Sequence, residues 1–409
     1  MRIKDVVKNN LCIGCGICSY DKNIIEFKYS KFLGIDYPLL DNNNNYNSGT
    51  LVCPGKGYEI INKANKLYGG SNYSIELGYV HKCYASHSNN RKILKNASSG
   101  GVMTELLIYL LEKKIVDKVA VTKFIYTNQG PRTKTFLTND INKIIESQGS
   151  KYCPVNVSNV LTEIKHEEGR IAYLGTPCQI AGIRQIQEID EDFKNTIIFT
   201  IANFCGGFKN HNNIRKLSCR HSINYKQIKK LRFRGGGQPG SMIIEDNSNR
   251  FEVQYPDYTG YTGYSKLLRC QFCIDATGEL ADFALGDAWL EPYISDPNPW
   301  SVIITRNNAA TKIIENMKNA KIITSNSITE RQVCLSQKTN LKSKKDRQSA
   351  RSKLYSVLGY KTPNYDGGYQ HKTTSIIFEI KVFFVYKFKY ILELTGLYKY
   401  LRSFLGKKY

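Results

Sequence analysis

GRIAYLGTPCQIAGIRQI, residues 169–186, decides the fold. Arg170 to Leu174 reads as a buried strand, Gly175-Thr176-Pro177-Cys178 as a turn, and Gln179 onward as a helix with Ile180, Ile183 and Ile186 on one stripe. Strand-turn-helix is the building unit of an open α/β sheet, whose ligands gather beyond the carboxyl ends of the strands. Cys178 stands at such an end and at a helix N-terminus, a position expected to lower a thiol's pKa. Downstream, TIIFTIANF (196–204) reads as a second strand and runs directly into Cys205-Gly206-Gly207. Two parallel strands are therefore expected to deliver cysteines to one sheet edge.

Upstream, KNASSGGVMTELLIYLLEKKIVDKVAV (95–121) has a small-residue turn, a helix-period run (Val102, Leu106, Leu107, Leu110, Leu111) and a short strand over Lys118 to Thr122. Ser98 and Ser99 can cap that helix, while Gly100 and Gly101 leave its first amides open to a phosphate. An ordinary N-cap with glycines for packing reads equally well. Further on, LRFRGGGQPGSMIIE (231–245) is an arginine-bearing glycine turn, suited to an anionic group or to a hairpin. LLRCQFCIDATGELADFALGDAW (267–289) then brings Cys270 and Cys273 as a close pair. With Cys178 and Cys205 these make four thiolates, enough for one cubane cluster if the fold brings them together.

A separate constellation lies in LCIGCGICSY (11–20), where Cys12, Cys15 and Cys18 sit at two-residue gaps between glycines. That spacing points three thiolates at one iron–sulfur cluster, and Cys53 followed by Pro54 supplies the fourth. No second close triplet accompanies it, so the four are expected to hold a single cluster. Cys-x-x-Cys pairs also build zinc ribbons, but a ribbon uses two separated pairs. Cys83, Cys153, Cys219 and Cys334 fit neither set and read as small core residues, Cys153 being the one able to replace Cys205 as a ligand.

With 409 residues, 41% hydrophobic and 11% aromatic, the chain is long enough for two or three domains with real cores. No apolar run follows the basic N-terminus and no segment offers 18 uncharged apolar positions, so neither a signal peptide nor a spanning helix is expected. Twelve cysteines in a chain kept in the reducing cytoplasm indicate metal ligation rather than disulfides. The net charge of +23 is uneven: residues 342–409 carry fifteen Lys/Arg against four Asp/Glu, a net +11. Residues 337–353 read as a solvated basic helix or linker. Beyond them, Ile377, Ile380, Phe384, Phe388 and Ile391 form one helical stripe, with lysines too frequent for a bilayer span. Such a basic, aromatic helix suits an anionic membrane surface, the enzyme body or a partner subunit. Nucleic acid is not expected, since no recognised module accompanies the charge.

Together, SSGG before a helix, GSKY at 149–152, GTPCQIAGIR, FCGG, and RC-x-x-C with ELAD and GDAW resemble the beta-subunit family of coenzyme F420-reducing hydrogenases and dehydrogenases. That family's plant and cyanobacterial relatives include reductases of chlorophyll metabolism, and members linked to bacterial surface-polysaccharide genes share its layout. The resemblance runs from the N-terminal cysteines to about residue 310. It implies an iron–sulfur flavoprotein with two 4Fe-4S clusters and FAD. One cluster would sit on Cys12, Cys15, Cys18 and Cys53, the other, near the flavin, on Cys178, Cys205, Cys270 and Cys273. Ser99, Gly100, Gly101, Ser150, Lys151, Gly175 and Thr176 become candidates for the flavin's phosphates and ring edge, and Asp287 for fixing the loop of the second cysteine pair.

The expected fold class is mixed α+β and α/β: a small ferredoxin-like N-terminal domain (1–65), an α/β flavin and iron–sulfur body (78–162 and 163–330), and a helical basic tail (337–409). The expected function is a cytoplasmic oxidoreductase, at the inner face of the membrane if the tail binds there. It passes electrons between a ferredoxin or other redox protein and a two-electron acceptor, coenzyme F420 or a small organic molecule. A general acid for a reduced substrate would come from Lys151, ahead of Asp287 and of His211, which reads as a solvated loop residue. Two other readings stand beside it: an electron-relay subunit with no substrate pocket, and a zinc-bearing binding protein.

Overall fold

The computed structural model describes residues 1–24, 26–41, 45–69, 73–237, 240–254, 266–367 and 376–394; sequence expectations for 395–409 lie outside the described residues. Its centre is a mixed sheet of eight strands. In spatial order these are Ile323–Ile328, Lys82–Ser88, Ser301–Thr305, Phe283–Asp287, Ile197–Asn203, Ile171–Gly175, Lys118–Thr127 and Gly130–Thr138. The run from Phe283–Asp287 to Lys118–Thr127 is parallel, and antiparallel pairs complete both sides.

Both faces of the sheet are covered, which is why its middle strands are apolar in succession rather than alternately polar. Ile171, Tyr173, Ala202, Ala284, Val302 and Ile304 join one core with Ile180, Ile183 and Ile186 of the Pro177–Gln187 helix. Their neighbours Ala172, Ile201, Phe283, Leu285 and Ile303 join the other with the Val102–Glu112 and Asn308–Asn319 helices. Side chains one residue apart thus serve opposite layers. The 169–186 stretch folds as read, with the strand at Ile171–Gly175 and the helix starting at Pro177 behind a Thr176–Gln179 capping box.

The N-terminal cysteine segment shares the first of these cores: Ile13, Cys15, Ile17 and Ile35 pack with the helix residues just named. Gly182 permits this, because a Cβ there would lie 2.7 Å from Ile17 Cγ2. A further sheet of three antiparallel strands, Lys230–Arg232, Ser241–Glu245 and Arg250–Gln254, makes the 231–245 glycine turn a hairpin connection.

The region read as a solvated linker is not solvated. Lys338–Leu341, a π-helical turn over Lys342–Asp346 and a helix over Gln348–Val357 pack against the body, with Lys344 2% and Lys345 1% exposed. Each lysine has a partner the sequence hides at long range: Lys344 Nζ donates to the Asp275 carbonyl at 2.6 Å, and Lys345 Nζ lies 2.5 Å from Glu279 Oε1. Beyond, Asn364–Tyr365 adds a parallel strand to Gly57–Tyr58, and Asp366 accepts from the amides of Ile60, Ile61 and Asn62 at the start of the Ile61–Tyr68 helix.

The Lys345–Glu279 pair has neither side chain exposed. Removing one member leaves a buried charge without its counterpart, so Lys345→Met is expected to destabilise the chain by about 3–5 kcal/mol. Urea unfolding measures this, and adding Glu279→Gln should recover part of the loss.

Candidate functional site

Cys12, Cys15, Cys18 and Cys53 line one cavity together with Ile3, Val6 and Ile13. The local backbone is built for this: Gly14 and Gly16 adopt φ +67° and +76° between the cysteines, and a Cβ on Gly16 would overlap Asn156 Oδ1. Pro54 opens a short 3-10 turn after Cys53, whose sulfur accepts from the amides of Gly55 and Lys56. Burial pushes the Cys12 thiol up to about 12 and raises Cys15, Cys18 and Cys53 as well.

Cys178, Cys205, Cys270 and Cys273 line a second cavity, and Ile13 belongs to the walls of both. Three segments converge there. Cys178 lies in the first turn of the Pro177–Gln187 helix, Cys205 two residues past the Ile197–Asn203 strand, Cys270 in the short Leu268–Gln271 helix, and Cys273 just after it. Donors surround the sulfurs: Gly207 N reaches Cys205 at 3.3 Å, Phe208 N reaches Cys270 at 3.4 Å, and Lys344 Nζ reaches Cys273 at 3.4 Å. Arg269, buried, ties the two sets by donating to the carbonyls of Pro54 and Gly55. Among the described residues no three His, Cys, Asp or Glu side chains are placed to hold a single metal ion.

The expected depression of the Cys178 pKa does not occur: burial pushes it up to about 12, and neighbouring sulfurs add to the shift. One helix N-terminus cannot offset the desolvation of a thiolate among three others. Cys273 is the exception. Burial would raise it too, but Lys344 and Arg269 hold it below the ordinary thiol value. Lys344 in turn is depressed by burial and more than restored by Cys273, Cys205 and the Asp275 carboxylate.

The glycine motifs meet at a third place. Ser98 Oγ accepts from Ser150 N at 3.0 Å, Ser99 Oγ donates to the Trp300 carbonyl at 2.9 Å, and Gly236 N bonds the Lys95 carbonyl at 3.2 Å. SSGG, GSKY and the 231–245 turn are thereby neighbours. Ser98 and Ser99 do not cap the Val102–Glu112 helix; Gly101, at φ +74°, occupies the N-cap, and the Gly100 amide is taken by Ser301 Oγ at 2.9 Å. Gly237 faces open space, and a Cβ on Gly149 would meet nothing closer than 3.9 Å. Gln148 Oε1, Arg232 Nε and Trp300 Nε1 are buried there with no hydrogen-bond partner among the described residues. Gly175 and Thr176, grouped with the flavin candidates by resemblance, stand instead at the second cysteine cavity, Thr176 Oγ1 being 3.4 Å from Cys178 Sγ.

Asp287 does not fix the cysteine-pair loop; it accepts from Arg234 Nη1 at 2.6 Å, locking the glycine turn, while Asp275 holds that loop through the amides of Gly278 and Glu279. Lys151 Nζ is folded back on the carbonyls of Ser147 and Gly149, and burial lowers its pKa to about 8. His211 is not a solvated loop residue: it is 2% exposed and donates to the Pro154 carbonyl at 3.2 Å. Cys153 packs with Ile214, Leu217, Phe233 and Met242, while the second cavity is lined by Cys205. Cys83 is a core residue of its strand, but Cys219 is exposed and Cys334 half-buried, against the core reading given to both. Sequence reasoning missed Lys344 and Arg269, whose roles depend on partners across the fold.

Residues 83–162 match the family model for the N-terminal part of the coenzyme F420 hydrogenase/dehydrogenase beta subunit, and residues 168–331 match the model for its C-terminal part. Over 266 residues the chain is 23% identical to coenzyme F420 hydrogenase subunit beta of Methanococcus voltae, covering 63% of this chain and 88% of that protein. Over 337 residues it is 21% identical to the coenzyme F420-dependent sulfite reductase of Methanocaldococcus jannaschii, covering 78% of this chain and 47% of that one. A chain from the F420-reducing [NiFe] hydrogenase complex of Methanosarcina barkeri has the same fold, with a TM-score of 0.56 at 18% identity over 74% of this chain and 100% of that chain. Cys178, Cys205, Cys270 and Cys273 fall inside the residues matched by the family models; Cys12, Cys15, Cys18, Cys53 and Lys344 fall outside.

Burial, the nearby Arg132 charge acting in the same direction, lowers His211 from its ordinary 6.5 to about 4. Between those values the unfolded chain binds the extra proton, so stability should fall as pH drops from about 6.5 to about 4, by roughly 3 kcal/mol at most. His211→Asn should flatten that slope in urea unfolding measured across the same pH range.

Proposed function

We propose that this chain, which belongs to the coenzyme F420 hydrogenase/dehydrogenase beta-subunit family, is an iron–sulfur flavoprotein oxidoreductase that moves electrons between a redox protein and a two-electron acceptor. The observation that carries the reading is the sorting of eight cysteines into two sets of four, around two cavities with Ile13 in common. The residues fit 4Fe-4S clusters. Amides and Lys344 aim donors at the sulfurs, and a cubane with four thiolates is anionic, which suits buried Lys344 and Arg269 beside the second set. FAD fits the junction of SSGG, GSKY and the 231–245 turn, where open glycines lie beside unpartnered buried polar atoms.

When bound, the clusters relay single electrons, and the flavin exchanges them for the pair a two-electron acceptor takes. The chain's own residues would hold these groups in place. Ile13 fills the space between the two cysteine sets, and Arg269 fixes their relative position through Pro54 and Gly55. Ser99 and Ser301 are hydrogen-bonded to each other at the junction, and Arg234 with Asp287 fixes the glycine turn beside it. Lys151, lowered to about 8, can hold a proton near neutrality and release it at modest cost, the property asked of a general acid. The acceptor is coenzyme F420, as in the names of its relatives, or a small organic molecule, with surface-polysaccharide precursors as one class.

Anaerobic purification with metal, sulfide and flavin analysis tests this reading. About eight iron and eight sulfide per chain with one FAD are expected, and Cys15→Ala or Cys178→Ala should each remove about four iron. Zinc without sulfide would refute it. Reoxidation of the reduced flavin by a small molecule, with no second protein present, supports an enzyme; its failure favours a relay subunit within a complex.

Lys344→Met should lower the potential of the second cluster and leave the first unchanged, because a buried cation beside Cys273 stabilises the added electron. Lys344→Arg should retain the potential. Redox titration followed by electron paramagnetic resonance distinguishes this from a merely structural role, which would reduce iron content without shifting a potential.

A further inference from the structure

We infer that the Ile376–Leu394 helix is a docking element that lies in the plane of an anionic lipid surface. One side of this helix is fastened to the protein. Glu379 takes Arg347 Nε at 2.6 Å and Arg351 Nε at 3.1 Å, Phe383 packs on Tyr355 with ring centroids 5.2 Å apart, and Tyr386 Oη bonds the Lys266 carbonyl at 3.4 Å. The opposite side is bare: Ile377, Ile380, Phe384, Phe388 and Ile391 are between 36% and 65% exposed. Their spacing of three, four, four and three residues keeps all five on one stripe.

The borders of that stripe say what covers it. Lys381 follows Ile377 by four residues and precedes Phe384 by three; Lys387 follows Phe384 by three and precedes Ile391 by four. At 100° per residue the two lysines flank this five-residue stripe on opposite sides, with Ile376, Phe378 and Val385, also exposed, beyond them. Lysine stems of that length let the charge rise to headgroups while the rings between them enter the acyl boundary. Lys387 Nζ also donates to Tyr360 Oη at 3.4 Å, and Val357 and Leu358, three and two residues before Tyr360, are exposed as well. The only acid described with its side chain on this helix, Glu379, is withdrawn to the fastened side.

Charge selects the occupant. Lys381 and Lys387 flank the stripe and the whole chain carries a net +23, so a second copy would bring like charges face to face. No described helix is long and apolar enough to cross a membrane, and an exposed apolar stripe flanked by lysines matches a surface-bound helix. This inference goes beyond the redox reading and does not depend on cluster or flavin binding.

Flotation of the full chain, purified anaerobically, with phosphatidylcholine vesicles with and without phosphatidylglycerol tests it. Binding is expected only to the phosphatidylglycerol vesicles and should weaken with added salt. Phe384→Glu with Phe388→Glu should abolish it, and Lys381→Gln should weaken it about fivefold. All these side chains are exposed or at the border, and unchanged urea unfolding of the variants confirms that the fold is kept. Equal binding to both vesicles, binding to neither, or binding that survives the double glutamate change would overturn the inference. So would a dimer at rising concentration that the double change dissolves while vesicles bind nothing.

Discussion

A thiol buried without a cation stays protonated, and seven of the eight cysteines around the two cavities are held by burial above, or by neighbouring charge below, the ordinary thiol range. Only positive charge inside the cavities would turn the whole set into ligands. The protein supplies some of it on the second set, through Lys344 and Arg269, and the iron of the proposed clusters would supply the rest. Much of the architecture serves that requirement. The parallel strands carry Cys178 and Cys205 to one edge, the N-terminal segment packs Ile17 against Gly182, and both sets press on Ile13.

The part of the chain beyond the matched residues is built into this arrangement rather than appended to it. Ser336 and Gln337 donate to the Asp287 carbonyl at the edge of the glycine junction. Asn340 Nδ2 reaches the Cys205 carbonyl at 3.4 Å, and four residues later Lys344 touches Cys273. One short segment therefore bonds both to the proposed flavin site and to the second cysteine set. A substitution here would act on the proposed redox groups through their surroundings, without altering any cysteine.

What the sequence disclosed was local. The Cys12–Cys18 spacing, the Cys53-Pro54 step and the Gly175–Cys178 turn are each written in a few adjacent residues, and the strand-helix alternation follows from short apolar runs. What it concealed depended on distant partners. Lys344 and Lys345 look solvated until Asp275 and Glu279 are placed beside them. Ser99 looks like a helix cap and Gly100 like an open phosphate amide until Ser301, about two hundred residues later, bonds to both. Cys178 looks activated by its helix until its burial is counted, and His211 gives no sign of the Pro154 carbonyl that draws it inward. Periodicity reports which face a residue takes, but not what waits on that face.

The closure of the N-terminal lobe by Asp366 has a temporal meaning. The Ile60–Asp366 bond spans 306 residues, and a side chain on Gly57 would collide with the Asn364 backbone that completes the same seam. A ribosome releases the first four cysteines early, yet the chain through Asp366 must emerge before their surroundings are finished. Completion of that cavity is accordingly a late step of folding, and truncated translation products would lack the seam that closes it.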